Sequence, residues 1–455
     1  MDEFTEIVRS INSLLWGVYC LIPLLVGTGI YFTLKLRLVQ IRRFGMAMKH
    51  VFGGITLFGK HADKDGMSSF QSLATAIAAQ VGTGNLAGVA TAMAMGGPGA
   101  IFWMWLAAFF GMATIFAEAL LGQVYRSRDA HGHILGGPAF YISQGLGNKP
   151  LAAFFAVAII IALGFIGNMV QANSVADAFQ TAFGVPVWLT GILLFALAGF
   201  IFIGGIRRIA SFAEKMVPIM ALVYIIGSLT IIVGHGDMFW SALKSIIVGA
   251  FDPVAATGGV IGAGVKEAIR YGVARGLFSN EAGLGSTPHA HAMAKVKEPQ
   301  EQGHIAMVCV FIDTFVVLTI TALVILTSGI VTPDMIGNDS TAASLTQSAF
   351  SAVFGNFGNM FVAVCLLFFA FSTIIGWYFF GEQNIKYLFG RKAVRVYSII
   401  VILCVFVGSL LKVDLVWSLA DFFNAVMALP NLIALLFLSG VVVRITKGQD
   451  EHALK

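Results

Sequence analysis

Charged residues make up only 11% of this 455-residue chain, under half of the ~25% typical of soluble domains. A soluble fold of this length buries a large core but still needs a charged skin, so most of this surface faces something other than water. Cysteine is scarce as well. Cys20, Cys309, Cys365 and Cys404 are the only four, and all lie in apolar segments, a pattern that argues against a disulfide framework or a thiolate metal cluster. Residues 1–11 have no basic stretch and no small-residue cleavage site, so the first apolar segment is expected to be a retained helix and not a signal peptide. No Gly-Lys-Ser/Thr follows any glycine-rich stretch, which leaves a phosphate loop and ATP-driven transport unsupported. No nucleophile–base pair or metal-ligand cluster is visible either, so neither an enzyme nor a resident cofactor is expected.

What the chain has in abundance is hydrophobic sequence, 58% of all residues, with a mean hydropathy of +0.87. Apolar runs long enough to cross ~30 Å of hydrocarbon recur throughout. We read eleven spans, near 14–34, 68–95, 99–123, 151–181, 187–205, 211–234, 255–287, 304–330, 350–386, 395–411 and 415–443. Basic residues test that count. With the N-terminus outside, the segments 35–67, 126–149, 207–215, 295–297, 386–395 and the tail from Arg444 share one side and hold 22 of the 28 Lys and Arg residues. The other side holds Arg9, Lys244 and Lys412, while Lys266, Arg270 and Arg275 fall within the seventh span. Positive charge marks the cytoplasmic side. The sequence therefore predicts a multi-pass protein of the cell membrane with its N-terminus outside and its C-terminus cytoplasmic. The net charge of +5 is an orientation signal, and nucleic acid is not an expected partner.

Two spans are chemically unusual. The second contains Gln80-Val81-Gly82-Thr83-Gly84-Asn85 inside an alanine-rich run, and each mid-helix glycine costs about 1 kcal/mol relative to alanine. Close helix packing through small residues is one reading. The other is a helix unwound at mid-bilayer, where free carbonyls hold a cation and N–H groups of the outer half-helix hold a carboxylate. The seventh span, Arg275-Gly276-Leu277-Phe278-Ser279-Asn280-Glu281-Ala282-Gly283-Leu284-Gly285-Ser286-Thr287-Pro288, likewise concentrates glycine and polar groups at membrane depth. Two interruptions five spans apart point to a five-plus-five inverted repeat and to a secondary transporter with its site between the breaks.

Val81-Gly82-Thr83-Gly84-Asn85 resembles the Val-Gly-Leu-Gly-Asn stretch in the first core helix of leucine-transporter-type sodium symporters. Gly96-Gly97-Pro98-Gly99-Ala100-Ile101-Phe102-Trp103-Met104-Trp105 and Gly276–Ser286 resemble the signatures of the alanine/glycine:cation symporter family, and the likeness spans essentially the whole chain. The resemblance implies an all-α leucine-transporter fold preceded by one extra N-terminal helix. Its divisions here would be 1–67 (extra helix and basic loop), 68–234 and 235–443 (the two repeats) and 444–455 (cytoplasmic tail). It implies sodium-coupled symport of alanine, or of a glycine- or serine-sized amino acid, by alternating access. Proton coupling on the same fold is the alternative.

Carried over by position, the backbone N–H groups of Thr83 and Gly84 would bind the substrate carboxylate, with Gln80 and Asn85 flanking the break. Sodium would take carbonyls of Ala78 and Val81 and the Phe369-Ala-Phe-Ser372-Thr373 stretch of the ninth helix, an oxygen shell that suits a hard cation. Phe165, Asn168, Phe278, Ser279, Thr373 and Trp377 would complete the pocket. Three large aromatics there favour a small side chain. Gly88 stands where relatives in the neurotransmitter branch carry a gating arginine, which leaves Arg270 or Arg275 to pair with Asp421. Asp313-Thr314 stands where the second sodium ligand is an asparagine, and Asp313 is expected to brace the broken helices.

Asn168, Gln171, Ser174 and Asp177 recur every third residue and are expected to line the outward vestibule. Glu118 is expected to pair with a nearby base and Glu281 to cap the inner half-helix. His289 and His291 do not share a helical face, so no metal site is expected there.

Overall fold

The computed structural model describes residues 2–17, 20–53, 66–252, 264–331, 336 and 344–448. The first part of the seventh span, 255–263, the loop lysines Lys60 and Lys64, and the tail beyond 448 lie outside them.

Among the described residues seven helices are long and apolar enough to cross a membrane, namely Ala100–Val124, Lys149–Phe183, Gly205–Gly234, Pro299–Thr327, Asn356–Phe389, Arg391–Leu410 and Val413–Phe437. In chain order the elements that matter below are α1 (Asp2–Leu15), α2 (Leu21–Lys35), α3 (Ser69–Gln80), α4 (Ala87–Gly96), α5 (Ala100–Val124), α6 (Lys149–Phe183), α7 (Val187–Ile203), α8 (Gly205–Gly234), α9 (Gly236–Phe251), α10 (Val265–Asn280), α11 (Pro288–Ala292), α12 (Pro299–Thr327), α13 (Asn356–Phe389), α14 (Val394–Leu410) and α15 (Val413–Phe437). Of these, α2, α4 and α7 are shorter apolar helices.

The N-terminal boundary differs from expectation. Residues 2–15 form their own helix, and the first apolar span begins only at Leu21. That helix packs on α15, with Asn12 Nδ2 donating to Ser418 O at 2.7 Å and Trp16 Nε1 to Asp421 O at 2.9 Å. α9 was not foreseen either. Elsewhere the local chemistry explains the ends. Ser68 and Gln71 form a capping box that starts α3. Asn148 accepts from Leu151 N, with Pro150 in the first turn of α6.

The centre of the bundle is α3 and α4 set against α10, surrounded by α6, α12 and α13. Both α6 (Ile160–Gly167) and α12 (Phe311–Leu318) widen to π-helix next to that centre. Such widening lets a helix carry an extra residue past a neighbour and recurs at functional sites. Close packing depends on small residues, as lipid offers no hydrophobic drive between helices. Gly376 of α13 sits so near α3 that a Cβ there would lie 2.9 Å from Ala79 Cβ.

Candidate functional site

The second span is broken. α3 ends at Gln80, Val81 turns to an extended conformation, Gly82 is extended, Thr83–Asn85 make one 3-10 turn, and α4 restarts at Ala87. The seventh is broken too, beginning at Glu281 rather than among the glycines before it. Glu281 is left-handed at φ 59°, and Gly283 and Gly285 follow at φ 87° and 80°. α11 resumes at Pro288. Gly276, in contrast, is helical and lies against Met104 of α5, so its smallness serves packing.

The two interruptions meet. Gln80 Nε2 donates to Asn280 O at 2.6 Å, and Gly84 backs directly onto Ser279. Asp313 of α12 ties both together. Its carboxylate accepts from Asn85 Nδ2 at 2.7 Å, Ser279 Oγ at 2.9 Å and Thr314 Oγ1 at 2.9 Å, while Asn280 Nδ2 reaches Thr314 Oγ1 at 3.1 Å. The bracing role expected of Asp313 is the one these contacts describe.

Oxygen atoms gather beside the first break. Thr373 Oγ1 lies 2.9 Å from Ala78 O, 3.4 Å from Val81 O and 3.1 Å from Phe369 O. Ser372 Oγ lies 3.3 Å from Ala78 O and 2.8 Å from Phe369 O. All these residues are buried, and every oxygen of the cluster belongs to a neutral carbonyl or hydroxyl. Such a set suits one monovalent hard cation, since it offers several oxygens without placing an unpaired negative charge in the bilayer. Gly82 is glycine because the cluster approaches it so closely; a Cβ there would stand 2.4 Å from Thr373 Oγ1.

On the other side of the break, Thr83 N donates to Gln171 Oε1 at 3.2 Å. Gln80 Oε1, Thr83 Oγ1 and Asn168 Oδ1 are buried and meet no hydrogen-bond partner among the described residues. Asn168 Nδ2 folds back on its own helix to Gly164 O at 3.0 Å. Trp377 and Phe278 stand edge to face at 6.0 Å, and Gly167 of α6 lies under the Trp377 ring. Phe165 points elsewhere. It is half-buried, and its ring packs on Tyr397 of α14 at 5.9 Å rather than on Phe278 or Trp377. Because Gly167 already meets the Trp377 ring, Phe165, two positions earlier on the helix, faces α14.

Two carboxylates behave unlike their expectations. Among the described residues Glu118 pairs with no base. It is fully buried and accepts from Gly283 N at 3.1 Å, Gly285 N at 3.0 Å and Asn431 Nδ2 at 2.6 Å. Glu118 therefore holds the turn after the second break by its amides, which the left-handed glycines turn towards it. Glu281 accepts instead from Ser286 Oγ and from the Trp377 indole N–H. The sequence offered no signal for the bonds of Glu118 or for the Glu281–Trp377 bond, since these join residues from different spans. His289 and His291 serve structure, bonded to Ser286 O and Asn384 and to Gln302 respectively.

Above the breaks opens a cavity of about 650 Å³, lined among others by Ser174, Asp177, Gln347, Arg275, Trp417 and Asp421. Of the polar ladder on α6, only Ser174 and Asp177 reach it; Gln171 lies deeper, on Thr83. At its floor Arg275 grips Asp421 with two parallel bonds of 2.7 and 2.9 Å, and the guanidinium lies 5.1 Å from the Trp417 ring centre. Trp417 packs on Phe278 at 5.2 Å. Between the two candidate partners, Arg275 makes the pair; Arg270 bonds Glu267 within its own helix. Trp417 was not foreseen, although it sits one turn before Asp421 on the same face.

The profile of the sodium:alanine symporter family matches residues 1–453. A protein of Methanococcus maripaludis named sodium/alanine symporter AgcS is 44% identical over 99% of this chain and 98% of its own. The Bacillus subtilis protein named probable sodium/glutamine symporter GlnT is 41% identical over 97% and 90%. The crystal structure of MhsT in complex with L-phenylalanine superposes with a TM-score of 0.58 at 13% identity, covering 86% of this chain and 99% of that one, a likeness of fold alone. With broken helices paired at its centre, a leucine-transporter-type architecture and matches along its whole length, the chain belongs to the sodium:alanine symporter family.

Proposed function

We propose that this protein carries alanine, or an amino acid of glycine or serine size, into the cell together with sodium. The observation that carries the reading is the meeting of the two helix breaks beside the neutral oxygen cluster of Ala78, Val81, Phe369, Ser372 and Thr373. Sodium is the ion this cluster suits, and no cofactor is needed. Gln171 Oε1 occupies the Thr83 N–H that a substrate carboxylate would take, so substrate binding displaces that side chain. The unpartnered oxygens of Gln80, Thr83 and Asn168 accept the ammonium group. Asn85 and Ser279, held by Asp313, fix the distance between the half-helices.

In this reading eleven crossings arise from the seven long helices, from α2 and α7, and from the two broken spans. The repeats run 68–234 and 235–443. The N-terminus is outside, so the 650 Å³ cavity is the outward vestibule and Arg275–Asp421 its gate. The basic end is closed by Met67 pairing with Met293 and Lys295, and by Ser72 on Ala290 O at 2.9 Å. Occupancy of both sites favours closure of the vestibule, and rocking of the central helices opens the cytoplasmic side.

Uptake of labelled alanine into proteoliposomes under an imposed sodium gradient tests the function. Concentrative uptake that disappears when choline replaces sodium, and that a proton gradient does not restore, is the expected result. Uptake that follows the proton gradient would give the coupling role to protons, and uptake that only equilibrates would make the protein a passive channel.

The gate and the pocket each carry a prediction. Arg275→Ala leaves Asp421 without its partner over the site and should speed alanine dissociation roughly tenfold; an unchanged off-rate in filter binding removes the pair from gating. Trp377→Ala should let leucine compete at least ~10-fold better against alanine uptake, the scale of a pocket enlarged by a few methylenes. If leucine competes no better, Trp377 does not set the size limit.

A further inference from the structure

α15 starts beside the vestibule and ends at the opposite face of the bundle, where a second cavity of about 240 Å³ opens. Lys35, Arg37, Arg42, Arg43 and Lys447 surround it with Thr446, and among the described residues no acidic one lines it. Among the described residues none of these five cations lies within ion-pair distance of a carboxylate. Burial, and then the neighbouring Arg42, pull the Arg43 guanidinium below its ordinary value, although Glu298 works in the other direction. An orientation signal needs positive charge on one side of the membrane; it does not need five charges converging on one hollow.

The hollow is also built. Arg43 is fixed by bonds from Nη1 to Gln300 Oε1 at 2.8 Å and from Nη2 to Thr446 O at 3.0 Å, and Arg42 Nη2 reaches Leu36 O at 3.3 Å. Arg37 and Leu38 are consecutive left-handed residues at φ 54° and 55°, a conformation that L residues avoid. Leu38 N closes this turn on Thr33 O at 2.7 Å. Strained backbone of this kind persists where surrounding structure enforces it, and it marks functional sites. Leu36 and Val443 line the hollow beside the cations, and Leu34, Leu38 and Ile41, interleaved with the basic residues in sequence, are 70%, 46% and 60% exposed.

The geometry points to a binding site for an anionic glycerophospholipid, its phosphate held by Lys35, Arg37, Arg42, Arg43 and Lys447 and its acyl chains lying along Leu34, Leu38 and Ile41. Cation-lined pockets at a membrane surface bind lipid headgroups in this way. A free phosphate would meet the same cations but would leave Leu36, Val443 and the exposed leucines and isoleucine beside them in sequence unused, which favours the lipid as the source.

Native mass spectrometry of the full chain in neutral detergent tests this, titrating phosphatidylglycerol, phosphatidylcholine and inorganic phosphate. The variant Arg37→Gln/Arg42→Gln/Lys447→Gln is compared with Arg207→Gln/Arg208→Gln/Lys392→Gln, which removes equal charge from the same end. We expect the first variant to lose roughly 100-fold in phosphatidylglycerol affinity, the second to stay near the parent, and phosphatidylcholine to bind weakly throughout. Equal loss in both variants would mean diffuse surface charge and overturn the site. Displacement of phosphatidylglycerol by an equal concentration of inorganic phosphate would overturn its assignment to lipid. If the triple variant does not fold, Arg42→Gln alone decides, with roughly fivefold loss expected and no loss contradicting the proposal.

Discussion

Thr373→Ala should raise the sodium concentration for half-maximal alanine uptake roughly 30-fold, the effect of losing one hydrogen-bonding-strength contact to a charge, about 2 kcal/mol. The threonine hydroxyl is the most central atom of the oxygen cluster, touching carbonyls of Ala78, Val81 and Phe369. Its removal leaves Ser372 Oγ and the carbonyls of Ala78, Val81 and Phe369, so a cation would still bind but weakly. Thr373→Ser keeps the hydroxyl and should stay close to the parent. Because the side chain is fully buried within α13, the thermal transition must be recorded for both variants. A sodium requirement unchanged in Thr373→Ala would take this residue out of the ion site.

Gly82→Ala should be at least as damaging while altering only one methyl group. The new Cβ would stand 2.4 Å from Thr373 Oγ1 and 3.1 Å from Gln171 Oε1. Threonine is stiff at its first side-chain torsion, so the hydroxyl cannot swing aside cheaply. Overpacking of this kind costs up to about 3 kcal/mol, which spent on the sodium-bound form is roughly 100-fold in apparent sodium affinity. The matching change at Gly88, where a Cβ would meet only Thr83 O at 3.9 Å, should be nearly silent. Sodium activation curves for the two variants in proteoliposomes check the contrast; equal curves would mean that the break tolerates bulk and does not shape the ion site.

The sequence made legible whatever depends on composition along one span. The hydropathy runs, the glycine–polar interruptions at 82–85 and after Asn280, and the hydroxyl pair Ser372–Thr373 all announce themselves locally, and the structure brings Gln80, Thr83, Gly84, Asn85, Ser279 and Thr373 together. What stayed hidden depends on contacts between spans. Glu118 looked like an ordinary acid near a helix end, yet it takes the amides of Gly283 and Gly285. Glu281 binds the Trp377 indole, a pairing 96 positions apart in sequence. The resemblance puts Phe165 in the pocket by position, but the π-helical widening over 160–167 shifts the angular phase of the helix there, and its ring packs on Tyr397. α1 escaped notice because its apolar residues Phe4, Ile7, Ile11 and Leu14 alternate with acidic and polar ones, which hides an amphipathic helix from an average over a long window.

Gly276 shows the converse error. A glycine in a polar stretch suggests a break, but this one allows α10 to approach Met104 while remaining helical. The actual interruption starts at Glu281, in the left-handed conformation, where the α-helical ladder ends with Glu281 N on Leu277 O at 2.9 Å.

If sodium and the amino acid share one site made by the two breaks, each must strengthen the other's binding. Isothermal titration of alanine into the purified protein, repeated across sodium concentrations and mirrored by sodium titrations across alanine concentrations, measures this directly. A shared site requires that sodium tighten alanine binding and that alanine tighten sodium binding by the same factor, as linkage demands. An alanine affinity indifferent to sodium would contradict it.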